Sequence, residues 1–139
     1  MTRYGSSTVT ARPFAEVLEA TRAALAEQGF GILTEIDMAA TLRAKLGVEL
    51  PAQVVLGACN PPLAHRALQA EPSVGLLLPC NVVVRALDEA RTVVETLDPA
   101  VMVELTGNPG LDEVAADADA RLRAVHAALA APGPAGPTA

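Results

Sequence analysis

Two short motifs contain the only two cysteines of the chain, and they are the residues whose types and spacing could do chemistry. Residues 58–62 read Ala-Cys-Asn-Pro-Pro and residues 78–82 read Leu-Pro-Cys-Asn-Val. Each motif follows an apolar run, which predicts that Cys59 and Cys80 lie where strands end or bend. Thiols brought together by adjacent strands could form a redox couple, bind a soft metal ion such as Cu(I), or carry a persulfide. The alternative is that both cysteines are small core residues, a common role of free cysteine.

An asparagine follows each thiol. Asn60 precedes Pro61, and this pair is typical of a helix N-cap followed by the first helical residue, so Asn60 has a structural explanation beside a ligand-binding one. Asn81 lies inside an apolar strand, where its amide must find hydrogen-bond partners. Those partners are either a ligand or the backbone groups freed where Pro79 interrupts the strand ladder.

The helix that Asn60 begins adds two further candidates. Cys59 lies just before its N-terminus, where backbone N–H groups and the helix dipole favour a thiolate. His65 lies one turn into the helix and is either a solvated surface histidine or a group within reach of a ligand near Cys59. We therefore predict a small pocket at the strand ends, suited to a small anion or polar metabolite and lined by Cys59, Asn60, Cys80, Asn81 and His65.

Composition excludes several classes of function. The net charge is −6 with no cluster of basic residues, and Tyr4, Phe14 and Phe30 are the only aromatic residues, so we expect no nucleic-acid binding. The longest dense apolar stretch is interrupted and too short to span a bilayer, which predicts no membrane insertion. The first ten residues have no secretory apolar region, and we expect a cytoplasmic protein with free thiols.

The sequence supports no particular enzyme. It contains no glycine-rich phosphate loop, no zinc-protease helix motif and no Gly-x-Ser-x-Gly elbow, and it identifies no cofactor or metal. Whether the domain has any catalytic activity stays open at this point.

Length and periodicity predict one α+β domain over residues 1–130, with residues 131–139 as a disordered tail rich in Pro, Gly and Ala. Apolar residues at helical spacing, with caps and stops, predict helices over 13–29, 37–47, 61–70, 98–105 and 108–129. Apolar runs predict strands over 30–36, 53–59, 74–85 and 91–97, the third kinked at Pro79. The predicted architecture is two layers: a mostly antiparallel sheet with helices packed on one face, including a long C-terminal helix.

The predicted strands are apolar on both faces. Leu33, Val55, Leu77 and Val83 lie on the opposite parity from their apolar neighbours. The chain's own helices can cover one face, and the other face needs either a second subunit or a helix wrapped across it. We therefore expect a homodimer.

Several blocks together resemble the DUF302 family of uncharacterised bacterial and archaeal proteins. They are residues 29–37, Gly-Phe-Gly-Ile-Leu-Thr-Glu-Ile-Asp, then Lys-Leu-Gly at 45–47, the two cysteine motifs, and Asp-Pro at 98–99. The resemblance covers roughly Tyr4 to Leu129. It implies a compact α+β domain, commonly a dimer, and no known activity. The family's Cys-Asn-Pro and Pro-Cys-Asn blocks match residues 59–61 and 79–81, whereas the turn at 87–90 lacks the glycine that relatives usually have there.

Three functions are consistent with the sequence. The first is a non-enzymatic dimeric domain that binds a small ligand at the two cysteine motifs. The second is a thiol protein: a redox protein, a sulfur carrier or a soft-metal binder, with Cys59 as the more reactive thiolate. The third is a protein-interaction module that uses the apolar sheet face.

Overall fold

A computed structural model describes residues 2–131 and consists of one antiparallel sheet with helices on one side. The five strands lie in the order β1-β5-β4-β3-β2, and every neighbouring pair is antiparallel. The strands are β1 (Gly5–Thr10), β2 (Gly31–Asp37), β3 (Gln53–Cys59), β4 (Cys80–Ala86) and β5 (Thr92–Leu97). The helices are α1 (Phe14–Glu27), α2 (Met38–Leu46), α3 (Pro61–Ala70), α4 (Ala100–Thr106) and α5 (Asp112–Ala130), with 3-10 turns at Pro72–Leu77 and Pro109–Leu111. This architecture confirms the α+β class and the long C-terminal helix.

The main core lies between the sheet and the two long helices α1 and α5. Alternate residues of the central strands point to this side, because successive side chains of a strand face opposite ways. Their apolar side chains meet one stripe of each helix, and the cluster includes Val54, Leu56, Val82, Val84, Val17, Leu25, Leu122, Val125 and Leu129. Burial of this cluster fixes which face of each central strand turns toward the helices.

A second, smaller core holds α3 and α4 against the first half of α5. Leu63 and Ala67 of α3 pack with Val74, Met102 and Val114. This cluster sets the position of α3, and therefore the position of the cysteine motif that precedes it.

Two strand predictions are wrong in detail. The segment predicted as one strand over 74–85 begins as the 3-10 turn Pro72–Leu77, and β4 starts only at Cys80. Proline lacks an N–H for the sheet ladder, so Pro79 marks the boundary rather than a kink within a strand. Leu77 consequently does not belong to the sheet.

In β2 the pairing with β3 shifts between Ile32 and Thr34. Uninterrupted alternation along the strand predicts that Ile32, Thr34 and Ile36 share one face. The bulge inserts Leu33 as an extra residue, so Thr34 and Ile36 lie on the face opposite Ile32.

The boundaries of α2 follow the predicted caps, whereas α4 and α5 begin at Ala100 and Asp112, after the predicted starts at 98 and 108. The Asp37 side chain accepts a hydrogen bond from the N–H of Ala40 at 2.9 Å, and Gly47 ends α2 in the left-handed conformation. Gly29 follows α1 with φ 81, which explains the glycine at that stop. The predicted tail lies outside the described residues, apart from Ala131.

Candidate functional site

The sheet register separates the two cysteines. Ala58 pairs directly with Cys80, whereas the next residue of β3, Cys59, pairs with Gly31. Directly paired residues share a face and consecutive residues do not, so Cys80 faces the helices and Cys59 faces the opposite side. We call that opposite side, which none of the long helices covers, the open face of the sheet. This arrangement does not favour a disulfide between the two thiols, and both are free.

Cys80 borders a small apolar cavity of about 30 Å³ on the helical side. Its neighbours there include Phe30, Leu63 and Met102. Burial raises the pKa of the Cys80 thiol, and the nearby Cys59 raises it further. A raised pKa disfavours the thiolate, which is the reactive and metal-binding form of cysteine.

Asn60 connects the start of α3 to the end of α1. Its side-chain oxygen accepts a hydrogen bond from the N–H of Leu63 at 3.3 Å and caps α3, as the sequence predicts. Its amide nitrogen donates to the carbonyl of Gln28, just past the end of α1, at 3.3 Å. Arg121 of α5 donates to the same carbonyl at 2.9 Å. The hydrogen bonds with Leu63 and Gln28 thus engage both the oxygen and the nitrogen of the Asn60 carboxamide. Asn60 is buried on the helical side of the sheet.

Asn81 belongs to the open face. It pairs with Gly57, one residue out of phase with Cys80, and its side chain is exposed. Within residues 2–131 no side-chain hydrogen bond engages its amide. Asn81 lines a groove of about 310 Å³ that runs across β1, β5, β4 and β3, together with Thr2, Tyr4, Gly5, Ser6, Ser7, Gln53, Val83, Glu95, Thr96 and Leu97.

Gly57 lets Thr34 of β2 and the ring of Pro79 approach β3 closely beside Asn81. A Cβ on Gly57 would lie 2.9 Å from Cγ of Pro79 and closer still to Oγ1 of Thr34. The absence of a side chain at Gly57 therefore lets β2 and the Pro79 ring close over β3. The proline of the second motif thus helps to define the end of the open face where Asn81 lies.

The open face also carries a charged pair that was not predicted from the sequence. Arg85 donates from Nε to Oε1 of Glu95 at 2.7 Å. Glu95 pairs with Ser7 on one side and Val83 on the other, so these three side chains form a row across the groove. The strand parity of Asn81, Val83 and Arg85 was the available signal, but it becomes useful only when the partner strands and their register are known.

The two histidines lie elsewhere. His65 is exposed on α3, on the helical side of the sheet. His126 of α5 is half-buried, with its ring nitrogens 2.7 Å from Oγ1 of Thr8 and 2.8 Å from Oγ1 of Thr96. Burial lowers the pKa of His126. The structure therefore does not bring the five residues predicted from sequence into one pocket: Asn81 and Cys59 are on the open face, and Asn60, Cys80 and His65 are on the helical side.

Two further observations concern metal binding and membrane insertion. Among residues 2–131, no three side chains of His, Cys, Asp or Glu come together in a group that could hold a metal ion. In the same described part of the chain, no helix has both the length and the apolar character needed to cross a membrane.

The fold and the site define a small α+β domain with an open-faced antiparallel sheet. The family described as "Domain of unknown function DUF302" matches residues 6–129, and the chain belongs to this family. A crystal structure of an uncharacterised conserved DUF302 protein from Bacillus stearothermophilus is similar to it, with a TM-score of 0.83 and 29% sequence identity. The similarity covers 92% of this chain and 99% of that chain. No curated protein matches the sequence.

Proposed function

We propose that this DUF302 domain binds a small polar molecule in the open-face groove and does not catalyse a reaction on it. The observation that carries the proposal is the groove of about 310 Å³ lined by the carboxamides of Asn81 and Gln53. Ligand sites of this size typically combine apolar walls with a few polar groups that fix orientation. Val83 and Leu97 supply apolar surface here, and the two amides supply donors and acceptors.

Asn81 is the proposed centre of recognition. Its side chain is exposed and lines the groove, so its donor and acceptor atoms are available to a ligand. Within residues 2–131 the Asn81 amide makes no hydrogen bond, whereas the amide of Asn60 makes two. In this proposal Asn81 contacts the ligand, Cys59 borders the same face, and Asn60 and Cys80 hold the strand ends from the helical side. His65 takes no direct part.

A homodimer is part of the proposal. Leu33 and Ile36 on the open face of β2 are 64% and 45% exposed, and Leu46 at the end of α2 and Val48 just beyond it are also exposed. β2, which carries Leu33 and Ile36, is the edge strand of the sheet and contributes no residue to the groove. A second copy of the chain is the proposed occupant, because β2 is an edge strand whose free backbone groups can pair with the same strand of another copy across a twofold axis.

Sedimentation analysis of the wild type and Ile36→Glu tests the dimer. We expect a wild-type dimer and a monomeric variant, since a carboxylate buried in the interface would lack a partner. A monomeric wild type would refute this part of the proposal. The proposed location is the cytoplasm, where two unpaired thiols are the ordinary state.

Tyrosine fluorescence provides the test of binding. Tyr4 is the only tyrosine of the chain, there is no tryptophan, and Tyr4 lines the groove. We would titrate the protein with amino acids, amines, amides, sugars and nucleosides while following Tyr4 emission. The account predicts that at least one class gives a saturable change that Asn81→Leu abolishes.

Gln69→Leu is the matched control, since it also replaces an exposed amide by leucine but lies on α3 outside the groove. Binding should survive in this variant. If no compound changes Tyr4 emission, or if Asn81→Leu binds as well as the wild type, the proposal is wrong.

A thiol function at Cys59 is the second candidate, and one observation favours it. Cys59 faces Gly31 across the edge pair, and a Cβ on Gly31 would meet only the Cys59 carbonyl oxygen, at 3.8 Å. Gly31 therefore places no side chain beside Cys59 on the neighbouring strand, and Cys59 is partly exposed. Alkylation over a pH series tests the idea, and inertness of Cys59 until the protein unfolds would refute it.

A further inference from the structure

The charge of the groove lining narrows the class of ligand. Among residues 2–131, eleven residues line the groove, and Glu95 is the only one of these with a formally charged side chain at neutral pH. None of these eleven described residues is arginine, lysine or histidine. A bound anion would therefore meet the carboxylate of Glu95, whose cationic partner Arg85 lies outside the lining.

Glu95 is held in place from one side only. Nε of Arg85 donates to Oε1, and Arg85 lies outside the groove lining. A carboxylate has about four lone-pair positions across its two oxygens, so Glu95 can accept further hydrogen bonds from a ligand. About a third of its side-chain surface stays exposed, at 32%.

The neighbours of Glu95 add acceptors and apolar surface. The carbonyl oxygens of Asn81 and Gln53 can receive N–H donors, and the hydroxyl of Ser7 lies beside Glu95 by strand pairing. Val83 lies on the other side of Glu95 and can pack against an alkyl body. The ring of Tyr4, in the same lining, presents the kind of π-face that attracts cations.

We propose that the groove takes a small organic cation, an aliphatic amine whose ammonium group binds the carboxylate of Glu95 while its alkyl chain packs along Val83. This inference rests on the proposed function and specifies its ligand class. The net charge of −6 acts in the same direction, since a negatively charged protein attracts cations over longer range. The small anion expected from sequence does not suit this groove.

Three four-carbon probes test the charge requirement. Putrescine carries an ammonium at each end, 1,4-butanediol is its neutral analogue, and succinate is its anionic analogue. Tyr4 emission should show saturable binding of putrescine, with the two analogues weaker by about tenfold or more, which corresponds to about 1.4 kcal/mol per tenfold. Added salt should weaken only the binding of putrescine.

Three variants locate the binding. Glu95→Gln should reduce putrescine affinity by about tenfold or more, as expected for the loss of a partly desolvated charge pair. Arg85→Gln should leave the affinity unchanged or increase it, because it frees the carboxylate. Glu104→Gln is the matched control, since Glu104 lines a separate acidic groove between α4 and α5 that also contains Asp98, Asp112 and Asp119.

The outcomes separate this inference from the proposed function. If 1,4-butanediol or succinate binds as tightly as putrescine, or Glu104→Gln removes binding while Glu95→Gln does not, the inference is wrong. If putrescine fails but another compound binds in a manner abolished by Asn81→Leu, the ligand class is wrong and the proposed function stands. If nothing changes Tyr4 emission, both are wrong.

Discussion

Replacement of Asn60 measures how firmly the first cysteine motif is fixed to the helical layer. Its oxygen caps α3 through Leu63 and its nitrogen bonds the carbonyl of Gln28. Loss of an asparagine N-cap costs about 1 kcal/mol, and loss of one further hydrogen bond costs about 1 kcal/mol. The Gln28 carbonyl keeps Arg121 at 2.9 Å, so no full penalty for an unpaired group is added. We therefore expect Asn60→Ala to lower the free energy of unfolding by about 2 kcal/mol.

Asn60→Ser separates the two contributions, because serine can cap α3 but cannot reach the Gln28 carbonyl. We expect it to lose about 1 kcal/mol, half the effect of alanine. Urea unfolding followed by circular dichroism gives both values, provided that the transitions are two-state with unchanged slopes. Equal losses for alanine and serine would refute the double role of Asn60. Loss of ligand binding in a folded Asn60→Ala protein would refute its assignment to the helical side alone.

Three further predictions concern stability, pH and thiol reactivity. Thr10 has a buried hydroxyl without a partner, whereas the hydroxyl of Thr92 donates to a backbone carbonyl at 2.9 Å. Thr10→Val should therefore stabilise the fold and Thr92→Val should destabilise it, with a difference of about 1 to 3 kcal/mol in urea unfolding, and equal effects would contradict the assignment. Burial lowers the pKa of His126, so its contribution to stability is complete above the unfolded pKa of about 6.5 and is lost as pH falls through the folded pKa. The stability of His126→Gln should thus fall less than that of the wild type on acidification, and parallel pH curves would show that His126 has no such effect. Mass spectrometry after brief alkylation of the folded protein should find Cys59 modified before Cys80, whose thiol borders the apolar cavity and has a raised pKa, and the reverse order would contradict the assigned faces.

Short sequence patterns were enough to predict most helices and strands, but not which face of the sheet each strand residue occupies. The caps at Asp37 and Asn60 depend on residues close in sequence, and the structure contains both. The bulge at Leu33 depends on how β2 pairs with β3, which no local pattern specifies. A shift of one residue reverses every following side chain, so the alternation of residues 30–36 predicted the wrong face for Thr34 and Ile36.

The unknown strand register also explains why the sequence grouped five residues that the structure separates. The repeated Cys-Asn pairs suggested one shared pocket, because the sequence does not show the register between β3 and β4. With Ala58 opposite Cys80, the two motifs are offset by one residue, and equivalent residues point to opposite faces. Asn81 was identified as a candidate from its unexplained polarity, whereas Glu95 and Gln53 could be grouped with it only after the strand order was known.

The most direct measurement is a two-dimensional ¹H–¹⁵N spectrum of the side-chain amides, recorded with and without putrescine or the compound that most changes Tyr4 emission. The chain has three asparagines and three glutamines, so every carboxamide can be followed separately. The account predicts that the amide signals of Asn81 and Gln53 shift in a saturable manner while those of Asn60, Asn108, Gln28 and Gln69 stay in place. Shifts confined to the other four amides, or no shift with any compound, would contradict a ligand site in the open-face groove.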